Sequence, residues 1–356
     1  MGDWSLEQVR EHIGTIRLLD TAAAQAAAAY LDTLTKPPGS LGKLEALAIQ
    51  LAGITGEMKP VLTKKSVVVM AGDHGVCEEG VSAFPSEVTP QMVLNFLNGG
   101  AAVNVLARQA GADVQCVDIG VAVELTHERL LARNIRRGTA NMAKGPAMSR
   151  EEAVRSVLTG AEIAAELVRQ GTQLFITGEM GIGNTTPSAA ILSVLSGRPP
   201  AETAGRGTGI TDEKLLHKIQ VLEQAIRINR PRADDPIDVL AKVGGLEIGG
   251  LAGLILGAAA QGRPVVIDGF ISSAAAFIAT AINPAVLPYL IASHVSQESG
   301  HRLLLQELGL SPMLEMDMRL GEGTGGVLSL HLVDAACRIM QEMATFESAG
   351  VSGGAT

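Results

Sequence analysis

From about residue 65 onward the chain alternates short, mainly apolar runs with longer stretches of helical spacing. Runs at 66–70, 114–119, 173–177, 264–267 and 287–292 are mainly apolar instead of strictly alternating with polar positions. Strands of that kind belong in a parallel sheet covered by helices on both faces. Residues 313–318 read as a further strand-like run and 327–343 as a helix. A helix is also expected after Ser149, where Ser-Arg-Glu-Glu forms a capping box, and it should stop before Gly171. Residues 5–60 read as helical and Ala-rich, interrupted at Lys36-Pro37-Pro38-Gly39-Ser40-Leu41-Gly42. In the apolar stretch 248–260, Gly245, Gly249, Gly253 and Gly257 recur at every fourth position. That stretch is too short to span a bilayer and follows Glu247, so it reads as a buried helix that lets its neighbours approach closely. The expected architecture is an α/β, doubly wound core over 61–338 with a smaller helical unit made of 1–60 with 339–356. No repeat is apparent, and only the tail 350–356 reads as disordered.

Composition narrows the class. Of 356 residues, 47% are hydrophobic and 18% charged, which describes a globular chain with a large core. The 41 glycines and 3% aromatics indicate tightly packed helices and loops whose backbone lines a ligand. A formal net charge of -9 argues against nucleic acid as a partner, without forbidding a local basic pocket for one phosphate. Three scattered cysteines, Cys77, Cys116 and Cys337, fit neither a disulfide framework nor a zinc ribbon. That cysteine pattern makes a reducing cytoplasm the expected setting, and the N-terminus has no basic region followed by an apolar core, so no signal peptide is expected.

In a doubly wound sheet, ligands bind beyond the carboxyl ends of the strands. Five strand ends lead into loops rich in glycine or polar residues, at 71–76, 178–187, 268–273, 293–294 and 319–326. The last sets one carboxylate, Glu322, among Gly321, Gly323, Gly325 and Gly326. Alone it reads as well as a solvated turn; convergence with the other loops favours a site. The loop Gly178-Glu179-Met180-Gly181-Ile182-Gly183-Asn184-Thr185-Thr186-Pro187 is the strongest phosphate candidate. Thr186 is expected to cap a helix with Pro187 at its first position, leaving free amides for an anion. No Walker A or dinucleotide spacing is present. Lys218 could supply a cation, although a lone helical lysine is usually solvated. Phe84, Gln91, Met92 and Phe96 could line a slot for a flat heteroaromatic ring, or simply pack a core. Asp73-His74 lacks the converging partners that a metal needs, so His74 is expected to be structural and no metal is assigned. A Ser-His-Asp nucleophile is unsupported for want of a Gly-x-Ser-x-Gly elbow.

Taken in order, Lys36-Pro37-Pro38-Gly39-Ser40-Leu41-Gly42, Asp73-His74-Gly75-Val76, Thr89-Pro90-Gln91-Met92, the 178–186 loop and Arg319-Leu320-Gly321-Glu322-Gly323-Thr324-Gly325 form a specific set. Together they resemble the nicotinate-nucleotide:dimethylbenzimidazole phosphoribosyltransferase family, from about residue 30 to 340. The resemblance implies a Rossmann-like core with a small helical domain, a homodimer, and no cofactor. It implies that nicotinate mononucleotide and 5,6-dimethylbenzimidazole are the substrates and that Glu322 is the catalytic base. Glu179, Gly181, Gly183, Asn184, Thr185 and Lys218 are expected at the nucleotide and its phosphate. Phe84, Gln91, Met92 and Leu320 are expected at the base. Phe84 stands where some members carry a small polar residue, which leaves open another azole or a phenolic acceptor. A non-catalytic nucleotide sensor would have lost Glu322 or the 181–186 loop, and neither is lost here.

Overall fold

Six parallel strands form the centre of the computed structural model, which describes residues 4–207 and 209–352. They are β1 (Lys65–Gly72), β2 (Ala112–Gly120), β3 (Leu130–Ala132), β4 (Leu174–Met180), β5 (Val265–Ile267) and β6 (Leu290–Ala292). Their spatial order is β3-β2-β1-β4-β5-β6, with every neighbouring pair parallel. The order reverses between β1 and β4, which opens a crevice at the carboxyl ends of these strands. Residues 1–3, Thr208 in the glycine-rich stretch before Lys218, and 353–356 of the tail lie outside the described residues.

Every residue of β1 and β4 is buried, as expected of their mainly apolar runs. Along β1, Val68 and Met70 face one core while Val67, Val69 and Ala71 face the other. The first core is closed by the helices Arg150–Arg169, Leu246–Ala260 and Phe270–Ile282, and the second by Lys43–Thr55, Ala102–Ala110 and Thr324–Glu342. The sheet is therefore doubly wound. Ser149 and Glu152 make the reciprocal capping box, and the helix they start ends at Gln170 beside Gly171, whose φ is +98°.

The glycine-spaced helix Leu246–Ala260 lies against Arg150–Arg169 at backbone contact. A Cβ on Gly253 would overlap the Val157 carbonyl, and one on Gly160 would overlap the carbonyl of Gly250. Small residues on both sides let the two backbones touch. Among the described residues before 60 the chain forms three helices, Leu6–Ile13, Thr21–Thr33 and Lys43–Thr55. A backbone bridge joins Leu34 to Thr345, so the N- and C-terminal segments meet.

Three local expectations are corrected. In 287–292 only Leu290–Ala292 is strand, because the segment up to Tyr289 is a 3-10 turn begun by Pro284 and containing Pro288, neither of which can donate to a ladder. Within 313–318 only Leu314–Glu315 pairs, in parallel with His294–Val295, as a separate two-stranded sheet. The third concerns the helix after β4. It starts at Thr185 behind Asn184, so Thr186 sits in the first turn instead of capping it, and Pro187 follows as the third residue. β3 was not anticipated, since three residues are too few to show a period.

Candidate active site

Beyond the carboxyl ends of β4 and β5 lies a cavity of about 230 Å³. Glu179, Gly181, Asn184, Thr185, Phe84, Met92, Leu320 and Glu322 line it, which unites most of the sequence candidates. Phe84 and Leu320 sit at its mouth, 50% and 54% exposed. Met92 reaches it from the helix Val88–Leu97, which is tied to the 178–187 loop by the Ile182 amide donating to Thr89 Oγ1 at 3.1 Å. Gln91, on the same helix, is exposed and does not line the cavity. Gly183 also stays outside the lining; its φ of +86° turns the loop against Cys77.

The Glu322 loop is not a loose turn. Gly321, Glu322 and Gly323 all have positive φ, at +79°, +62° and +87°. A left-handed conformation is uncommon outside glycine, and holding one on Glu demands strong local restraint. Asp268, at the end of β5, supplies that restraint. Its two carboxylate oxygens accept from the Gly323 amide at 3.0 Å and the Gly326 amide at 2.9 Å, capping the helix Thr324–Glu342. Glu179 accepts from the Glu322 amide at 3.3 Å, and a Cβ on Gly321 would collide with its carboxylate. The glycines flanking Glu322 are therefore close-packing positions.

Electrostatics follow from this burial. The Glu322 carboxylate accepts no hydrogen bond from a described residue. Burial, with the Asp268 charge second, pushes its pKa up to about 7. Glu179 is pushed up to about 8 by burial, against the opposing hydrogen bonds from Asn184 and the Glu322 amide. One carboxyl is thus poised near neutrality and the other is held largely protonated there.

Lys218, from the helix Asp212–Asn229, is buried and not solvated. Its Nζ donates to Thr185 Oγ1 at 2.8 Å and to the Gly205 carbonyl at 3.2 Å, which leaves one of its three donors without a partner among the described residues; it stands behind Thr185, outside the cavity lining. Burial draws its pKa down to about 8, with Glu298 pulling the other way. His74 is not in the cavity. It pairs at 2.8 Å with Glu247, and although burial opposes its charge, Glu247 raises its pKa on balance.

Beside this geometry, comparison with known proteins is decisive. A family model described as phosphoribosyltransferase matches residues 16–351. The chain is 57% identical over 348 residues to a nicotinate-nucleotide–dimethylbenzimidazole phosphoribosyltransferase of Chloroflexus aggregans, covering 98% of each chain. It belongs to that family. An enzyme of the same name from Roseiflexus is 57% identical over 344 residues, which cover 96% of this chain and 98% of the relative. The crystal structure of CobT from Thermus thermophilus matches with a TM-score of 0.90 at 48% identity, covering 94% of this chain and 100% of that one.

Within this phosphoribosyltransferase chain, several site residues escaped the sequence reading. Asp268 and His294 stood in loops noted for position, without assigned roles. Glu298 lines the cavity from the segment after β7 (His294–Val295) and gave no signal, since it lies in an ordinary polar stretch. Glu247 was visible as the one acid heading an apolar helix, yet its pairing with His74 across 173 residues had no local trace.

Proposed function

We infer that this chain transfers the 5-phosphoribosyl group of nicotinate mononucleotide to 5,6-dimethylbenzimidazole. The products are nicotinate and α-ribazole 5′-phosphate, the lower-ligand nucleotide of cobalamin. One benzimidazole nitrogen attacks C1′ as the bond to the pyridinium nitrogen breaks, and that bonding pair neutralises the departing ring. The leaving group therefore needs no general acid, unlike the leaving oxygen of a glycoside. The proton on the second benzimidazole nitrogen passes to Glu322. Attack from the face opposite nicotinate inverts C1′.

The observation that carries this reading is Glu322 itself: a buried, unpaired carboxylate at the cavity wall, tuned near pH 7, where a general base is most effective. Support for the phosphate end comes from the first turn of the helix Thr185–Ser196, with the Lys218 ammonium held directly behind Thr185. Phe84, Met92 and Leu320 supply apolar surface for the base; Gln91 would reach it only from outside the cavity lining. Holding both reactants in line is worth roughly 7–11 kcal/mol in favourable intramolecular cases, so positioning carries much of the acceleration. The reading also includes a cytoplasmic homodimer and a small helical unit of 1–60 with 339–356.

Incubation with nicotinate mononucleotide and a panel of benzimidazoles, purines and phenols tests the assignment. Nicotinate release and a product of α-ribazole phosphate mass are expected with 5,6-dimethylbenzimidazole. No release with any acceptor would sink it.

A further inference from the structure

His294 forms part of the cavity wall, yet nothing in the reaction as written uses it. It opens the short strand His294–Val295 directly after Ser293, and its ring is tightly held. A Cβ on Gly325 would collide with it, and the His301 ring packs edge-on at 5.9 Å. Ser293 decides its tautomer. The Ser293 hydroxyl donates to the Ile267 carbonyl at 2.7 Å, with the Asp268 carbonyl at 3.2 Å as a second acceptor. With its single hydrogen so committed, the Ser293 oxygen accepts from His294 Nδ1 at 2.9 Å. In the neutral ring Nε2 then carries the lone pair. Among the described residues it has no partner, and it is not one of the sealed, unpartnered atoms of the interior.

Counting donors identifies what this acceptor would meet. Glu298, Glu322 and His294 bring acceptor atoms to the cavity wall, whereas both Glu179 oxygens are already taken by Asn184 and the Glu322 amide. Under the proposed reaction, on which this inference rests, dimethylbenzimidazole brings one N–H, and Glu322 takes it. The nicotinate carboxylate and the phosphate oxygens are themselves acceptors. The remaining donors on the two substrates are the ribose hydroxyls. We propose that His294 Nε2 accepts a hydrogen bond from a ribose hydroxyl of the nucleotide, orienting C1′ and making the site selective for ribosyl over deoxyribosyl substrates. A site built to bond a hydroxyl rejects the analogue lacking it, because the acceptor is then left unpaired.

The test measures kcat/KM for nicotinate mononucleotide and its 2′-deoxy and 3′-deoxy analogues, with 5,6-dimethylbenzimidazole as acceptor. It compares the wild type, His294→Asn, which keeps a polar atom for Ser293 but removes Nε2, and His294→Gln, which restores a polar acceptor near the Nε2 position. The wild type should disfavour one deoxy analogue by about tenfold or more. His294→Asn should lose a similar factor on the natural nucleotide and no longer separate it from that analogue, with the KM for the base unchanged. His294→Gln should recover much of the selectivity. A wild type indifferent to both deoxy analogues would overturn the proposal. So would a folded His294→Asn that discriminates as the wild type does, or one whose loss falls on the KM for the base. Failure of the wild type to release nicotinate from the natural nucleotide would instead remove the underlying reaction, and the His294 role with it.

Discussion

At the scale of single residues, the site turns on how Asp268 and Glu179 hold Glu322. Glu322→Gln keeps the size and polarity of the side chain but cannot take a proton. It should lower turnover by about two to four orders of magnitude while both substrates still bind. Steady-state kinetics combined with binding titration checks this. Because the proposed base acts in its ionised form, kcat/KM for the benzimidazole should fall as pH drops through about 7, where Glu322 takes up a proton. Asp268→Asn should move that limb to lower pH, since the Asp268 charge is one of the influences raising Glu322. It should also slow turnover, because an amide presents one oxygen where Gly323 and Gly326 each need an acceptor. The pH–rate profile reads both effects. Lys218→Ala should mainly raise the KM for the nucleotide, and movement of the benzimidazole KM alone would contradict its proposed phosphate role.

Among elements, the contact between the helices Leu246–Ala260 and Arg150–Arg169 sets the depth of one face of the sheet. Gly253 meets the Val157 carbonyl, so Gly253→Ala inserts a methyl where backbone already stands. Overpacking of this kind typically costs about 1–3 kcal/mol, which thermal or urea unfolding would register. The same helix carries Glu247 to His74 beneath the site, so activity should fall along with stability. The other decisive element is Thr324–Glu342. Its first turn is capped from outside by Asp268, so a loop and a strand end distant in sequence form one rigid piece.

For the whole molecule, burial of ionisable groups at one end of the sheet makes stability depend on pH. Glu179 has a folded pKa of about 8 against an ordinary value of 4.5, so the folded state binds more protons than the unfolded state between those limits. Stability from this group is present at low pH and is lost as pH rises toward 8. His74, also raised, acts in the same direction. Lys218, drawn down to about 8, acts oppositely, but only above that pH. Glu179→Gln should therefore gain more stability relative to the wild type at pH 8 than at pH 6. Denaturant unfolding at the two pH values checks this, and an equal effect at both would remove Glu179 from the account. A cluster of buried acids beneath an apolar cavity is a cost to folding, and it is concentrated where the proposed reaction needs a base.

The sequence by itself determined the parallel, doubly wound sheet, because short, mainly apolar runs alternating with longer stretches of helical spacing fit strands covered on both faces. It also determined which loops meet, since strand ends in such a sheet share one edge, and its ordered motifs carried the family. It could not decide β3, the short pairing of Leu314–Glu315, or the start of the helix at Thr185, where a residue or two of geometry outweighs local propensity. Tertiary structure alone decided that Lys218 is buried, that Gln91 turns away, and that Asp268 clamps the Glu322 loop. It alone set the tautomer of His294 as well. Each of these depends on partners far apart in the chain, and hydrogen bonds across such separations leave no periodic trace in the order of residues.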